Sequence, residues 1–318
     1  MNITMNERVK KYLNIRRSLG IQMKVEGSEL LRFAYYVDKK GYKGSLTAAM
    51  AIEWASSSKK VSRLSWARRL EIVRCFAKYY YAFDPKTQIP PKNVFGSAHR
   101  RNTPYIYSTE EIKEILAASL QLHCTQSKLR PITYYYLFGL LASTGLRISE
   151  ATRLNKDDVD FSNGILTIRE SKFFKSRYVP LHHSVIKALQ EYLAIRNKKL
   201  CSRCNALFVL DNGLPVTTRK AEYAFKIIRQ RLWANKLYKN KKPRIYDLRH
   251  TFVCRRLLVW YKEGKNINQA ILFLSTYLGH AKVTDTYWYI TGIPELMSIA
   301  TKRFEQFYQP IINGENHE

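Results

Sequence analysis

Residues 85–108, PKTQIPPKNVFGSAHRRNTPYIYS, constrain the fold of this chain more than any other stretch, because the pattern before them differs from the pattern after them. They carry four prolines, a glycine and polar residues with no hydrophobic period, the signature of a connection. At 318 residues the chain is long enough for two domains. Residues 1–98 read as helical. LLRFAYYVDKKG ends on Gly41, a helix-stopping residue. LTAAMAIEWASS sets Leu46, Ala49, Met50 and Trp54 at helical spacing, and WARRLEIVRCFAKYYYAF sets Trp66, Leu70, Val73 and Ala77 on one face. Beyond the connection, Ser108 with Glu111 three residues on resembles a capping box, and Ile112, Ile115 and Leu116 continue a helix. The expected division is a helical domain over 1–98, a linker over 99–107 and a second domain over 108–318.

The second domain mixes periods. ILTI (165–168) and RYVPL (177–181) read as strands joined by the polar turn ESKFFKS, and ALFVLDNGLPVT reads as a strand with an Asn-Gly turn. SVIKALQEYLAIR, AEYAFKIIRQRLW, LRHTFVCRRLLVWY and PELMSIATKRFEQFY read as helices. The expected fold class is mainly α with a small β-sheet (α+β). A terminal helix around Glu295 to Phe307 would leave Leu296, Ile299, Phe304 and Phe307 as apolar surface for docking on a neighbour.

A formal net charge of +29 repels itself in the free protein, so a polyanionic partner is the first expectation. The excess is shared by both parts and is not confined to a tail. A hydrophobic fraction of 46% excludes a disordered basic tail. The longest apolar run, Tyr134 to Ala142, is nine residues, well short of the ~18 that span a bilayer, and the N-terminus has no apolar signal-peptide core. Five cysteines, an odd number, do not make a disulfide framework, so a reducing cytoplasm is the expected home. Cys201 and Cys204 form the one close pair, and no second pair follows at finger spacing, so no structural zinc is expected.

Four strings carry polar groups suited to chemistry. In STGLRISEATRL a turn leads into a helix whose start carries Arg147, a planar fork for an anion, with Glu150 one turn on to orient it. In RESKFFKSRYVPLH, Lys172 sits at the hairpin tip, where a lysine can swing over a groove and supply a proton. In YDLRHTF, Arg249 and His250 open a helix and Tyr246 stands three residues before Arg249. In YLGHAKVTDTYWYIT, His280 follows Leu-Gly, with Tyr287 and Tyr289 seven and nine residues later. Each alone also fits a bland reading: a surface ion pair worth tenths of a kcal/mol, a solvated turn, a helix entrance, an aromatic core cluster.

Together, in this order and spacing, they resemble the tyrosine recombinase (phage integrase) family over about residues 105–300. The family's pattern is Arg, Lys, His-x-x-Arg, His or Trp, and Tyr. Arg147 falls on the first arginine and Glu150 on its supporting acid. Lys172 falls on the hairpin lysine, because KFFKSRYVPL has the register of K-G-x-K-x-R-x-V-P-L. Arg249, His280 and Tyr289 take the second arginine, the Leu-Gly-His position and the nucleophile, with His250 in a supporting place. Tyr246 stands where the family usually has histidine. The 31 residues from Arg249 to His280 exceed the spacing of compact Xer-like members; the extra stretch is similar to the transposon-borne branch whose recombinases work in sets, such as the recombinase-in-trio elements.

The resemblance implies a site-specific recombinase that moves a mobile element by cutting and rejoining double-stranded DNA through a 3′-phosphotyrosyl bond. It implies no cofactor and no metal, since two arginines clamp the phosphate and the phosphotyrosine stores the bond. Lys172 would protonate the leaving 5′-oxygen and Tyr246 would be a catalytic neighbour. It also implies a helical core-binding domain over 1–98, a homotetramer bridging two DNA sites, possible work with related recombinases, and association with the bacterial nucleoid. Rival readings are a non-catalytic architectural DNA-binding partner, a type IB topoisomerase-like enzyme and, from charge alone, an RNA-binding protein. If the segment around the two tyrosines is helical, a two-residue step turns the side chain by ~200°, so Tyr289 would face the phosphate, and Tyr287 and Trp288 would point towards packing.

Overall fold

The computed structural model describes residues 3–58, 61–99, 103–124, 129–169, 176–199, 204–233, 242–291 and residue 301. Two compact units divide it, Met1–Asn102 and Thr103–Glu318. The division falls inside the 99–107 stretch. Tyr105 and Tyr107 pack with the core of the second unit, and Tyr107 is fully buried there.

The first unit holds helices α1 (Met5–Ser18), α2 (Lys24–Lys39), α3 (Ala48–Ser56) and α4 (Arg63–Tyr80). Three start on hydroxyl caps: Thr4, Thr47 and Ser62 each accept a backbone N–H of the first turn. Val9, Leu13, Leu30, Phe33, Trp54, Val73 and Phe76 form the core. The inward faces match those expected in part: Trp54 on α3 and Leu70, Val73 and Ala77 on α4 are buried. On α3 they are Ala51, Trp54 and Ala55, with Ala49 exposed, because Thr47 caps the helix and leaves Leu46 outside it, buried ahead of the cap. On α4 they are Ala67, Leu70, Val73, Phe76 and Ala77, while the half-buried Trp66 donates its indole N–H to the Ser58 carbonyl.

The second unit runs α5 (Thr109–Leu120), α6 (Leu129–Thr144), α7 (Ile148–Ala151), β1 (Val159–Asp160), β2 (Ile165–Ile168), β3 (Arg177–Pro180), α8 (His183–Lys199), α9 (Thr218–Trp233), α10 (Asp247–Lys262), α11 (Ile267–Leu278) and α12 (Thr284–Thr291). The Ser108–Glu111 capping box forms in both directions. The strands make one antiparallel sheet in the order β1-β2-β3, with Leu166 opposite both Val159 and Val179. β1 lacks a sequence signal because it is only two residues long. The strand expected at ALFVL is instead an irregular stretch with two isolated bridges, Ala206 to Asn155 and Val209 to Pro215. Its backbone groups are used elsewhere: Leu207 N–H donates to the Leu154 carbonyl and Val209 N–H to the Tyr192 hydroxyl.

Two cores fill this unit. One lies among α5, α6, α8, α9 and the sheet, and includes Leu137, Phe138, Leu166, Tyr192 and Phe225. The other joins α10, α11 and α12 through Val253, Leu257, Ile271, Leu274, Leu278 and Tyr289. The long stretch from Trp260 to His280 folds as the end of α10 and all of α11. No helix among the described residues is long and apolar enough to cross a membrane. Lys172, Cys201 and the apolar residues of the expected docking helix, Leu296, Ile299, Phe304 and Phe307, lie outside the described residues.

Candidate active site

The site grows from the start of α10. Asp247, buried at the first helical position, accepts from the Arg244 backbone N–H at 2.8 Å and pairs with its guanidinium at 2.8 Å. That anchor turns Arg249, His250 and Thr251 inward. Arg249 is 2% exposed; its Nη1 donates to the Gly145 carbonyl at 2.8 Å and its Nη2 to the Leu278 carbonyl at 2.9 Å. One side chain thus ties the turn before α7 to the turn after α11. Both turns need glycine. Gly145 and Gly279 sit at φ +63° and +64°, and a Cβ would lie 2.4 Å from the Phe252 ring at the first and 2.9 Å from the Arg177 guanidinium at the second.

Arg147 occupies the N-cap of α7. It donates Nη1 to Glu150 Oε1 at 2.6 Å and Nη2 to the Gly279 carbonyl at 2.8 Å, while its backbone N–H donates to Glu150 Oε2 at 3.0 Å. Glu150 is not the surface partner of an exposed pair: its side chain is 1% exposed. Arg177, at the start of β3, grips the same carboxylate with both arms, at 3.0 and 2.9 Å, and donates Nε to the Tyr277 carbonyl at 2.7 Å. Burial pushes the Glu150 carboxyl up, but the bonds and charges of Arg177 and then Arg147 outweigh it and hold it down at about 2. Two guanidiniums share this one carboxylate and the buried Arg249 lies close by, so positive charge is in excess here.

His280 follows the left-handed Gly279. Its Nε2 lies 3.1 Å from Arg249 Nη2 and its Nδ1 2.7 Å from the Thr286 hydroxyl. A guanidinium only donates, so Nε2 is the acceptor. The ring is neutral: burial first, then Arg249 and Arg147, lower its pKa to about 4. Tyr289, on α12, is 3% exposed, and its hydroxyl is 2.9 Å from His250 Nδ1. Its ring lies parallel to His280 with centroids 6.5 Å apart. Burial raises the phenol pKa, and Arg249 opposes the rise. Tyr246, at the N-cap of α10, is 41% exposed and stands at 77° to the His250 ring, 4.9 Å away.

The structure therefore brings together Arg147, Glu150, Arg249, His250, His280 and Tyr289, with Tyr246 at the edge. The helical step between the two tyrosines holds, but Tyr287 is 40% exposed and points outward, whereas Trp288 packs against His250. Sequence reasoning assigned nothing to Arg177 and Thr286. Arg177 had a signal: in a strand it shares a face with buried Val179, opposite exposed Tyr178, and an arginine on the inward face needs a buried partner. Thr286 had none.

A helical unit with a small antiparallel sheet, and with arginines, a histidine and a tyrosine converging where α7, α10, α11 and α12 meet, defines a class suited to phosphate chemistry. The phage integrase family model matches residues 107–293, and the chain belongs to that family. It is 37% identical over 310 residues to the integrase/recombinase y4rB of Sinorhizobium fredii (strain NGR234), covering 96% of this chain and 98% of that one. It is 28% identical over 233 residues to the tyrosine recombinase XerC of Lacticaseibacillus casei, 72% of each chain. In fold it is similar to the Tn1549 transposon integrase, solved with transposon right end DNA, at a TM-score of 0.68 and 19% identity, covering 96% and 99% of the two chains.

Proposed function

We propose that this chain is a site-specific DNA recombinase that breaks and rejoins DNA with Tyr289 as nucleophile. The observation that carries this reading is a buried tyrosine hydroxyl that reaches His250 and Arg249, at a site where Arg147 and Arg177 share a single carboxylate that does not neutralise the arginines. A phosphodiester already carries one negative charge, and its transition state spreads more onto the non-bridging oxygens. Arg147 and Arg249 supply paired donors for those oxygens, and neutral His280 supplies another once it leaves Thr286. Glu150 and Arg177 fix where Arg147 points. The 5′-alkoxide is a poor leaving group, and Lys172, on the β2–β3 connection, is the acid that protonates it. The helical unit contributes phosphate contacts as a core-binding domain, and subunits assemble on paired DNA sites, as a homotetramer or with related recombinases.

The test separates binding from chemistry. Arg147→Ala should stop cleavage of a bound DNA site while changing affinity little, since one contact among many is lost for binding but a clamp on developing charge is lost for the reaction. Equal losses in both would make Arg147 a binding residue only. Lys172→Ala should regain cleavage on a substrate whose bridging 5′-oxygen is sulfur, because a thiolate leaves without an acid. A folded, DNA-binding Lys172→Ala protein that stays inactive on that substrate would remove the lysine from this role.

A further inference from the structure

Tyr289 has to lose its proton to attack, and burial makes that loss harder than for a phenol in water. The residue at the place of the family's usual histidine is Tyr246, itself a phenol and a poor base at neutral pH. The group that does reach the Tyr289 hydroxyl is the next histidine along the helix: His250 Nδ1 lies 2.9 Å from it, within the distance required for proton transfer. We propose that His250 is the general base of this recombinase, taking over a task that Tyr246 cannot perform. The inference rests on Tyr289 being the nucleophile.

The geometry is prepared for the step. His250 is 9% exposed, one residue from Arg249 on the first turn of α10, so the same Asp247–Arg244 anchor that fixes the arginine fixes the base. Trp288 from α12 packs on one side of the ring at 5.6 Å, and Tyr246 closes on it at 4.9 Å. Among the described residues, the titratable and charged groups seen beside it include Tyr246, Arg249 and Cys254 on or at the start of its own helix and Tyr289 on α12. His280 is unsuited to the same task, because its Nε2 accepts from Arg249 and its Nδ1 is turned to Thr286. In the step, the Tyr289 O–H proton moves to His250 Nδ1. The phenolate oxygen bonds to phosphorus, the P–O5′ bond breaks, and the leaving oxygen takes a proton from Lys172. Rejoining runs the same transfers backwards.

The test uses the full chain and a nicked duplex carrying a site that the unmutated protein first selects from a pool of randomised duplexes. Covalent adduct formation is followed in a single turnover against pH. His250→Asn keeps an acceptor near the place of Nδ1 but is not basic; His250→Ala removes the group. Both should bind the duplex as the unmutated chain does, lose ~10²-fold or more in cleavage rate and lose the acid limb of the pH profile, and imidazole in solution should restore part of the His250→Ala rate. An Asn variant that cleaves at the unmutated rate with the same pH profile would reduce His250 to a positioning residue. A faster Ala variant would make the hydrogen bond a latch on the nucleophile. Either result overturns the base role and leaves the site reading standing, whereas an unmutated chain that forms no adduct overturns both.

Discussion

Glu150 shows how much of the site hangs on one carboxylate. It is buried, and it holds two arginines in fixed directions. Its pKa of about 2 in the fold against 4.5 unperturbed means that below pH 4.5 the unfolded chain takes up a proton that the folded carboxylate refuses. The stabilisation is complete above pH 4.5 and is lost progressively as pH falls towards 2; on the order of 3 kcal/mol is at stake. Urea unfolding should therefore show the unmutated chain well ahead of Glu150→Gln at pH 7, with the gap closing over that window. A gap that is constant with pH would mean that shape, not charge, is what Glu150 supplies. Arg177→Lys should not substitute for arginine, since an ammonium cannot span both oxygens, and Arg177→Ala, which leaves the buried Glu150 to Arg147 alone, should cost about 1–3 kcal/mol in the same assay. At Tyr246, Tyr246→Phe keeps the ring against His250 and removes one hydroxyl, so cleavage should fall by about 10-fold at most, the scale of a single hydrogen bond. A loss as large as that of His250→Ala would return the proton-transfer role to the phenol.

At the scale of elements, the two glycine turns, before α7 and after α11, are the joints that let α7, α10 and α12 present side chains to one point. Gly279→Ala would strain a left-handed backbone and push the new methyl into Arg177, and should lower both the unfolding midpoint and the cleavage rate without weakening DNA binding. Much of this was legible in the sequence. Periodicity located α4, α8, α9 and α10, because local spacing on a helix is enough to say which residues share a face; that the distant strings around Arg147, Arg249, His280 and Tyr289 belong together was expected from their resemblance to the family's order, not from spacing. The two-residue strand β1 and the irregular stretch at ALFVL were not legible, because each is decided by a partner distant in sequence, a neighbouring strand or the Tyr192 hydroxyl, and the start of α3 is decided by the Thr47 cap. The same holds for Thr286 and for the link between His250 and Tyr289, whose residues are 39 positions apart and meet only when α10 packs on α12.

At the scale of the whole molecule, a net charge of +29 makes binding to DNA a matter of phosphate contacts first. Affinity for any duplex should fall steeply with salt, with a log–log slope of magnitude several, and a flat response would deny that the basic surface is a DNA surface. The chemistry, however, is claimed for one hydroxyl. The most direct measurement is to trap the covalent complex on a nicked site, digest it and identify the tyrosine bonded to the 3′-phosphate. The account predicts Tyr289, with no adduct from Tyr289→Phe and a normal one from Tyr287→Phe. A phosphotyrosine at Tyr287, or no adduct from the unmutated chain on a site it binds, would contradict it.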